Sequence, residues 1–394
     1  MVLGLEISGM IDAIKGAIIM KVRSFLTIAL TFTLIVACQP AETQPVFSSS
    51  VEAAVTPIPL PSVEPPIAAT LQGRIRSFDI SPDMKTIALA TSQGVSLYDL
   101  KSFKHLRTLD KTENVFSVAW SSDGKKLAAG GLIMENSEVG KPHLVVWDTS
   151  NWQVIFEPDY REDMLDNHYG DVAWSPDSRS IATGNGYMGV TVYNIETGKI
   201  ISKQDIFSGA IADVSWSPDG SRLVATGDMA FAIRRWRVDT DKFVRLYDQR
   251  VDTALKVDWS ADGKRIASGY ANGTVCLWTV ETNKCDGFIQ AHQSAVNSLA
   301  WSPNGKQLAT GGDAIRIWDS HTGKLIATFG NKNDNSVYTP SYVQLVWPAP
   351  DQPLTSLVAL DSFGNEALMV VYFWDVGTGK VLFEFYGESD PSGK

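Results

Sequence analysis

The side chains capable of chemistry are few and widely spaced in this sequence. Histidines lie at positions 105, 143, 168, 292 and 321, and none forms an HExxH motif or has the spacing of a metal site. Residues 184–189 match the GxGxxG phosphate-binding pattern by letter. That pattern requires a helix whose first amides face the phosphates, and here it lies between two predicted strands. No GxSxG nucleophile motif is present. The sequence therefore predicts no catalytic residue, no cofactor and no metal site.

Cysteine chemistry is limited to Cys38, Cys276 and Cys285. Cys276 and Cys285 flank the turn of one predicted hairpin, at positions diagonal to each other. Diagonal residues on paired strands have Cα atoms about 7–8 Å apart, which is near or beyond the limit for a disulfide. The spacing leaves both a disulfide and two free thiols open.

Cys38 follows a pattern typical of protein export. Two cations, Lys21 and Arg23, precede an apolar run over 25–37 that is too short for a membrane span of about 20 residues. This predicts a signal peptide over 1–37, with 1–19 as a misassigned start before Met20. Residues 35–38, Ile-Val-Ala-Cys, resemble a bacterial lipobox, which implies a lipid on Cys38. An uncleaved anchor with an incidental cysteine is the alternative.

The segment over 38–66 is rich in proline, serine and threonine and has no hydrophobic period. Dense proline favours extended, solvated chain. The composition predicts a disordered linker between the anchor and the folded part.

The rest of the chain repeats one unit of four short apolar runs, seen best over 296–329. Its first run ends in Trp-Ser-Pro-Asn-Gly, a type I turn followed by a glycine suited to positive φ. Its third run ends in Trp-Asp. Runs of about five residues between turn signals predict a four-stranded antiparallel meander. Seven such units recur with a step of roughly 42 residues. Their first-strand aromatics or equivalents are Ile80, Trp120, Trp174, Trp216, Trp259, Trp301 and Trp347.

The period, the Ser-Pro-Asp-Gly turns and the Trp-Asp endings resemble the WD40-repeat family. The resemblance covers 67–387, with a flexible tail over 388–394. It implies an all-β fold, a seven-bladed WD40 β-propeller with four antiparallel strands per blade. In many such proteins an N-terminal strand completes the last blade. We expect 67–72 to do so here in preference to 381–385.

The resemblance also assigns a structural role to one histidine. In the family a histidine, a Ser/Thr, an aspartate and a tryptophan form a buried hydrogen-bond network. His292, Thr310, Asp313 and Trp318 match that pattern, with Asp313 one residue out of the usual register.

Loop lengths predict where a partner binds. In the family, the turn between second and third strands and the connection to the next blade share the top face. Two long loops belong to that face: 132–143 lies within blade two, and 158–170 leads from blade two to blade three, so we expect them to be neighbours in space. Long loops on a rigid scaffold often carry binding residues. The candidate residues are Met134, Glu135, Glu138, Tyr160, Arg161, Asp163, Asp166, His168 and Tyr169.

The net charge of −10 and the lack of a basic stripe argue against nucleic-acid binding. We expect a non-enzymatic, monomeric scaffold for protein partners. The N-terminal lipid would anchor it on the extracytoplasmic side of a bacterial membrane. The alternatives are a propeller that binds a polysaccharide or other ligand, a propeller enzyme, and a TolB-like envelope component.

Overall fold

Each sequence repeat forms a four-stranded antiparallel sheet, and seven such sheets form a β-propeller. The computed structural model describes residues 58–59, 75–102, 104–109, 114–133, 141–158, 169–185, 189–204, 210–227, 232–247, 252–331, 340–347, 354–362 and 365–386. The chain divides into two units, Met1–Pro45 and Val46–Lys394, and every described residue lies in the second. The described residues include no helix that is long and apolar enough to cross a membrane. The predicted signal peptide, Cys38 and the predicted tail over 388–394 lie outside the described residues.

Chain order within each blade is also strand order in the sheet, from the channel outwards. Blades one to three contain β2 (Ile75–Ile80), β3 (Thr86–Thr91), β4 (Gly94–Asp99), β5 (His105–Leu109); β6 (Val115–Trp120), β7 (Lys126–Ile133), β8 (Lys141–Asp148), β9 (Val154–Phe156); β10 (Tyr169–Trp174), β11 (Ser180–Asn185), β12 (Val190–Asn194) and β13 (Ile200–Gln204). Blades four and five contain β14 (Ile211–Trp216), β15 (Arg222–Gly227), β16 (Ala232–Arg237), β17 (Phe243–Tyr247); β18 (Ala254–Trp259), β19 (Arg265–Tyr270), β20 (Thr274–Thr279) and β21 (Lys284–Gln290). Blades six and seven contain β22 (Ser298–Trp301), β23 (Gln307–Gly311), β24 (Ile315–Asp319), β25 (Leu325–Asn331); β26 (Pro340–Val346), β27 (Leu354–Ser362), β28 (Asn365–Asp375) and β29 (Lys380–Tyr386).

The Ser-x-Asp-Gly turn between the first and second strands is held by its serine. In blade five, the Ser260 hydroxyl donates to Asp262 Oδ1 at 2.7 Å and accepts the Arg265 amide at 2.9 Å. Gly263 closes the turn with φ of 68°, a left-handed conformation that glycine adopts without strain. The same serine contacts recur around Ser81, Ser121, Ser217 and Ser302. The repeated motif therefore sets the same hairpin in successive blades.

The core lies between the blades, because each sheet has two apolar faces and neither can face water. One cluster combines Val224 and Leu246 of blade four with Trp259, Ile266 and Trp278 of blade five. The third-strand tryptophans Trp147, Trp236, Trp278 and Trp374 are almost fully buried. The repeated aromatics thus serve inter-blade packing.

The expected closure of the last blade by an N-terminal strand is wrong. The C-terminal strand β29 pairs with β28 from Val370–Tyr386 to Asp375–Lys380. A tight turn ending at Gly379 (φ 68°) joins these two strands. A local hairpin costs less chain entropy than pairing with a distant segment. The favoured segment, 67–72, lies outside the described residues.

The linker expectation also needs one correction. Ile58–Pro59 (β1) pairs parallel with β25 as a fifth strand on blade six. Outer strands have unpaired backbone groups that accept an added strand, and a proline is tolerated at such an edge. The remaining residues of the predicted linker lie outside the described residues.

Among the described strands, none is exchanged between blades seven and one. The Gln344 side chain accepts the Phe78 amide at 3.0 Å and donates to the Phe78 carbonyl at 2.9 Å. Around this contact, Phe78 and Tyr98 of blade one pack with Val371 and Phe373 of blade seven. One amide side chain and an apolar cluster therefore close the ring.

We expect Gln344→Ala to lower the free energy of unfolding by about 1–3 kcal/mol, because it leaves the Phe78 amide without its acceptor. Urea unfolding measures the change. Gln290→Ala is the control, since Gln290 also bonds two backbone carbonyls, but within blade five and its exit loop. An equal effect of the two substitutions would contradict a special role of this seam.

Candidate functional site

The seven first strands surround a central channel that encloses a cavity of about 410 Å³. Its polar lining includes Asp171, Asp213, Lys256, Asp258 and Gln344. Each first strand pairs with a second strand on one side only. Its other edge faces the channel, so alternate backbone amides there need acceptors from elsewhere.

Side chains of the preceding blade supply those acceptors at all seven seams. The bonds, from backbone amide to acceptor, are Trp120 to Asp79 (2.7 Å), Val172 to Ser117 (3.3 Å), Val214 to Asp171 (3.0 Å), Val257 to Asp213 (2.7 Å), Trp301 to Asp258 (3.4 Å), Leu345 to Ser298 (2.6 Å) and Phe78 to Gln344 (3.0 Å). We call these seven contacts the seam ring.

The seam ring uses two positions of the first strand. Five blades use the residue three positions before the first-strand tryptophan, such as Asp171 before Trp174 or Asp213 before Trp216. Blade five has Lys256 there, which can only donate, and Asp258 two residues later provides the acceptor instead. Asp79 takes the same later position in blade one. Because residues two apart project to the same face of the sheet, either position reaches the next blade.

Burial in the channel shifts the acidity of the ring carboxylates. Desolvation raises the pKa of Asp79 to about 7, against hydrogen bonds from the Trp120 and Ile80 amides. Desolvation likewise raises the pKa of Asp258 to about 7. Desolvation, reinforced by the Asp213 charge, raises the pKa of Asp171 to about 6. Some of these groups therefore titrate near neutral pH.

Lys256 balances part of the negative charge. Its Nζ lies 3.1 Å from Asp213 Oδ1, and 32% of the lysine side chain and 17% of the aspartate remain exposed. Burial opposes the ammonium charge, but Asp213 and then Asp171 raise the pKa of Lys256 overall. The pair is therefore accessible from the channel.

The channel groups have structural bonds before any ligand arrives. Asp171 accepts from Ser117 Oγ (3.1 Å) as well as from the Val214 amide. Ser215 donates to Asp258 at 3.1 Å. In the described part of the chain, no group of three or more His, Cys, Asp or Glu residues could hold a metal ion. The arrangement can position a polar molecule in the channel, but each carboxylate is already committed to a seam.

The structure brings together the four residues of the expected buried network. Trp318 Nε1 donates to Thr310 Oγ1 at 2.9 Å, His292 Nε2 lies 2.8 Å from the same oxygen, and His292 Nδ1 lies 2.6 Å from Asp313 Oδ1. Because the ionised Asp313 carboxylate can only accept, Nδ1 is the histidine donor to it, and Nε2 of the neutral ring accepts the Thr310 hydroxyl proton.

Arg316 completes this network, although the sequence-based prediction did not include it. Its guanidinium donates to both Asp313 oxygens, at 2.8 and 3.1 Å. Although burial opposes it, hydrogen bonds from His292 and Arg316 hold the pKa of Asp313 well below its usual range. Burial lowers the pKa of His292. Gly312 allows the close approach, since a Cβ there would lie 2.7 Å from the His292 ring.

Cys276 and Cys285 form a disulfide with a Cα–Cα distance of 5.9 Å. The expected separation of about 7–8 Å for diagonal residues was too long. A bulge lies where Leu277 pairs with Gly287 and Trp278 with Cys285. It brings both cysteines to one face of the hairpin and draws them closer. Both are buried beside Trp259 and Trp278.

Most of the candidate loop residues lie outside the described residues: Met134, Glu135, Glu138, Tyr160, Arg161, Asp163, Asp166 and His168. Tyr169 is the first residue of strand β10 and not a loop residue. The first loop is shorter than expected, because β7 and β8 stay paired up to Ile133 and Lys141.

The bases of the two loops meet on one face. His143 at the start of β8 lies 3.0 Å from Glu157, which follows β9. Since β9 leads to the second loop, this contact joins the two loop bases.

The seam ring was not predicted, although the sequence contains a pattern that indicates it. A polar residue interrupts each apolar first run, as in Phe78-Asp79-Ile80 and Val257-Asp258-Trp259. Alternation within a strand predicts that such residues face away from the core. Only the closed ring reveals that this direction is the neighbouring blade.

Comparison with known proteins agrees with the repeat architecture. The family described as WD domain, G-beta repeat matches residues 103–132, 201–248, 251–279 and 283–319. No curated protein matches the chain. The chain thus contains WD40 repeats and folds as a seven-bladed β-propeller, which confirms the expected fold class. This fold typically serves as a protein-interaction scaffold.

Because their pKa values are raised in the folded protein, the seam carboxylates should make the protein less stable as the pH rises. Asp79 and Asp258 keep their protons to about pH 7 when folded, but an unfolded aspartate loses its proton near pH 4. The folded state binds more protons in between, so the free energy of unfolding decreases from about pH 4 to pH 7. The buried His292 acts in the opposite direction, so the wild type is compared with variants.

We expect Asp79→Asn and Asp258→Asn each to reduce the change in melting temperature between pH 5 and pH 8. The reduction should be roughly 2–4 °C relative to the wild type. Scanning calorimetry gives the difference. Asp83→Asn is the control: the Ser81 hydrogen bond lowers the pKa of Asp83, so its titration falls below this range. If the melting temperatures of the wild type, Asp79→Asn and Asp258→Asn changed equally with pH, Asp79 and Asp258 would not be protonated in the folded protein.

Thr310→Val should destabilise the protein by about 2–4 kcal/mol, because Trp318 and His292 both lose their partner. Thr191→Val is the matched control. Thr191 is equally buried, but its hydroxyl has no partner among the described residues. Chemical denaturation should show little change or a gain for the control. If both variants lost similar amounts of unfolding free energy, the hydrogen bonds of the network would contribute nothing to stability beyond the packing of the threonine.

Proposed function

We propose that this protein is a lipid-anchored, extracytoplasmic WD40 propeller that binds protein partners through its top-face loops and performs no chemistry itself. The observation that carries the proposal is the His143–Glu157 contact of 3.0 Å. It ties the bases of two long loops from one blade onto a rigid sheet. Loops held in this way can present side chains to a partner at a low entropy cost.

The location rests on the sequence. The lipobox-like residues 35–38 and the charged, apolar segment before them support export and lipid attachment at Cys38. The proline-rich segment that follows supports a tether that separates the propeller from the membrane.

The channel supports a second candidate, a propeller that binds a small polar ligand or a polysaccharide end. The cavity of about 410 Å³ lies within the usual range for ligand pockets. Lys256 and the seam carboxylates would recognise hydroxyl or amino groups there. The bonds that these groups already make argue for the scaffold as the first choice.

Crosslinking and affinity capture from intact cells test the scaffold. The baits are the wild type, a variant with 134–140 and 159–168 replaced by tight turns, and Cys38→Ser. We expect one protein to be captured by the wild type and lost with the shortened loops. Cys38→Ser should move from the membrane to the soluble fraction. Failure to capture a protein with any bait would favour the ligand-binding candidate and a glycan screen.

A further inference from the structure

The chain's own segment before the propeller pairs with the outer edge of blade six at an irregular point of strand β25. Ile58 lies opposite Phe329, and Pro59 lies opposite Asn331. One step along β1 therefore corresponds to two steps along β25, and Gly330 is the extra residue of a bulge. Gly330 has φ of 64°, in the left-handed region that glycine adopts without strain.

This end of β25 distinguishes blade six from the other blades. Its pairing with the third strand ends at Phe329, opposite Ile315, but β25 continues to Asn331. Every other described fourth strand ends at a residue that pairs with its own third strand. The Phe329 ring is 2% exposed and stacks on Trp374 of blade seven at 5.8 Å. Blade six thus offers β1 a strand end that extends beyond its own sheet and is fixed to the next blade.

The backbone of β1 suits pairing on one side only. Successive amides of a strand point to opposite edges, and a proline has no amide. Ile58 is therefore the one residue of β1 that can donate to β25, and Pro59 leaves the outer edge without a donor. Residues 57 and 61 are also proline, at the same alternation. The sequence pattern is that of a terminal edge strand, to which a further strand does not add.

The direction of β1 relates the N-terminal segment to the two faces of the propeller. We call the face with the first-to-second and third-to-fourth strand turns the bottom face. β25 begins after such a turn and ends at the connection to blade seven, on the top face. Because β1 is parallel to β25, it also runs from the bottom face towards the top face. The chain therefore enters β1 from the side opposite to the loop bases at His143 and Glu157.

We propose that Ile58–Pro59 is an intramolecular docking point, which fixes the tether to blade six and turns the top-face loops away from the anchored end. This inference rests on the proposed lipid anchor. Cys38 and Ile58 are 20 positions apart, whereas Cys38 and Ile75 are 37 positions apart. At about 3.1 Å per residue, docking shortens the reach of a proline-rich tether from about 115 Å to about 60 Å.

The segment's own blade six is favoured over that of a second copy. Only residues 60–74 connect β1 to the first strand of blade one. A short connection gives an effective concentration of about the millimolar range, far above that of a second molecule in dilute solution.

Hydrogen exchange of the full chain in detergent, followed by mass spectrometry, tests the docking. We expect Ile58→Pro to speed exchange at the end of β25 by about threefold or more, because it removes the amide that β1 donates. Val55→Pro is the matched control, since it adds a proline at the alternation of residues 57, 59 and 61, and it should match the wild type. Strand β21 serves as the internal reference.

Energy transfer to a lipid dye tests the orientation in vesicles. Gln93→Cys carries the donor dye on the top face of blade one, and Lys101→Cys carries it on the bottom face; both positions are exposed. Cys276 and Cys285 are oxidised and do not compete for the dye. The two faces are about a strand length, roughly 20 Å, apart. We expect stronger transfer from Lys101→Cys than from Gln93→Cys, and Ile58→Pro should reduce the difference.

The two experiments fail independently of each other and of the anchor. Equal exchange in Ile58→Pro and wild type, or equal acceleration in Ile58→Pro and Val55→Pro, would overturn the docking. Protection that rises with protein concentration would assign β25 to the segment of a second copy and overturn the intramolecular contact. Stronger transfer from Gln93→Cys would overturn the orientation. A protein that stays out of the membrane fraction while β25 remains protected would refute the anchor but not the docking.

Discussion

The hydrogen bond from a first-strand amide to a side chain of the preceding blade is the contact on which the propeller depends. A sheet edge facing a channel leaves amides unpaired, and seven blades would carry that cost seven times. The chain meets it with aspartate, serine or glutamine, at either of two positions on the strand. Since no strand is exchanged between the ends of the described chain, the blade seven–one seam depends on Gln344 and its apolar surroundings.

This requirement explains the chemistry of the channel. Carboxylates there serve the seams, and burial raises the pKa of Asp79, Asp171 and Asp258. Perturbed pKa values often mark functional sites, but an inter-blade bond accounts for each of these. Lys256 occupies the position in blade five that carries the acceptor in most other blades, and a lysine cannot accept. Its positive charge instead offsets the negative charge of Asp213.

With the channel carboxylates engaged in closure, the exposed apolar side chains lie on the outside of the ring. The large apolar side chains that are exposed among the described residues lie on fourth strands: Leu106, Ile155, Ile200, Ile201, Phe243, Val244, Leu325, Ile326 and Leu382. Blade five differs, with the buried Cys276–Cys285 disulfide in its outer hairpin. On blades three and four, cations surround the apolar residues. The outer strands therefore differ from blade to blade.

The sequence by itself determined the seven repeats, the four strands of each blade and the turns between them. These follow from local causes: Ser260, Asp262 and Gly263 form their hairpin turn without help from another blade. Resemblance to a family also identified His292, Thr310, Asp313 and Trp318 as one group. Only the tertiary structure decided which strand completes blade seven, how close Cys276 comes to Cys285, and that Asp79 and Trp120 bond. Each of these depends on register, on a bulge, or on the distance between residues of different blades. A linear pattern does not encode such distances, because they arise only when the ring closes.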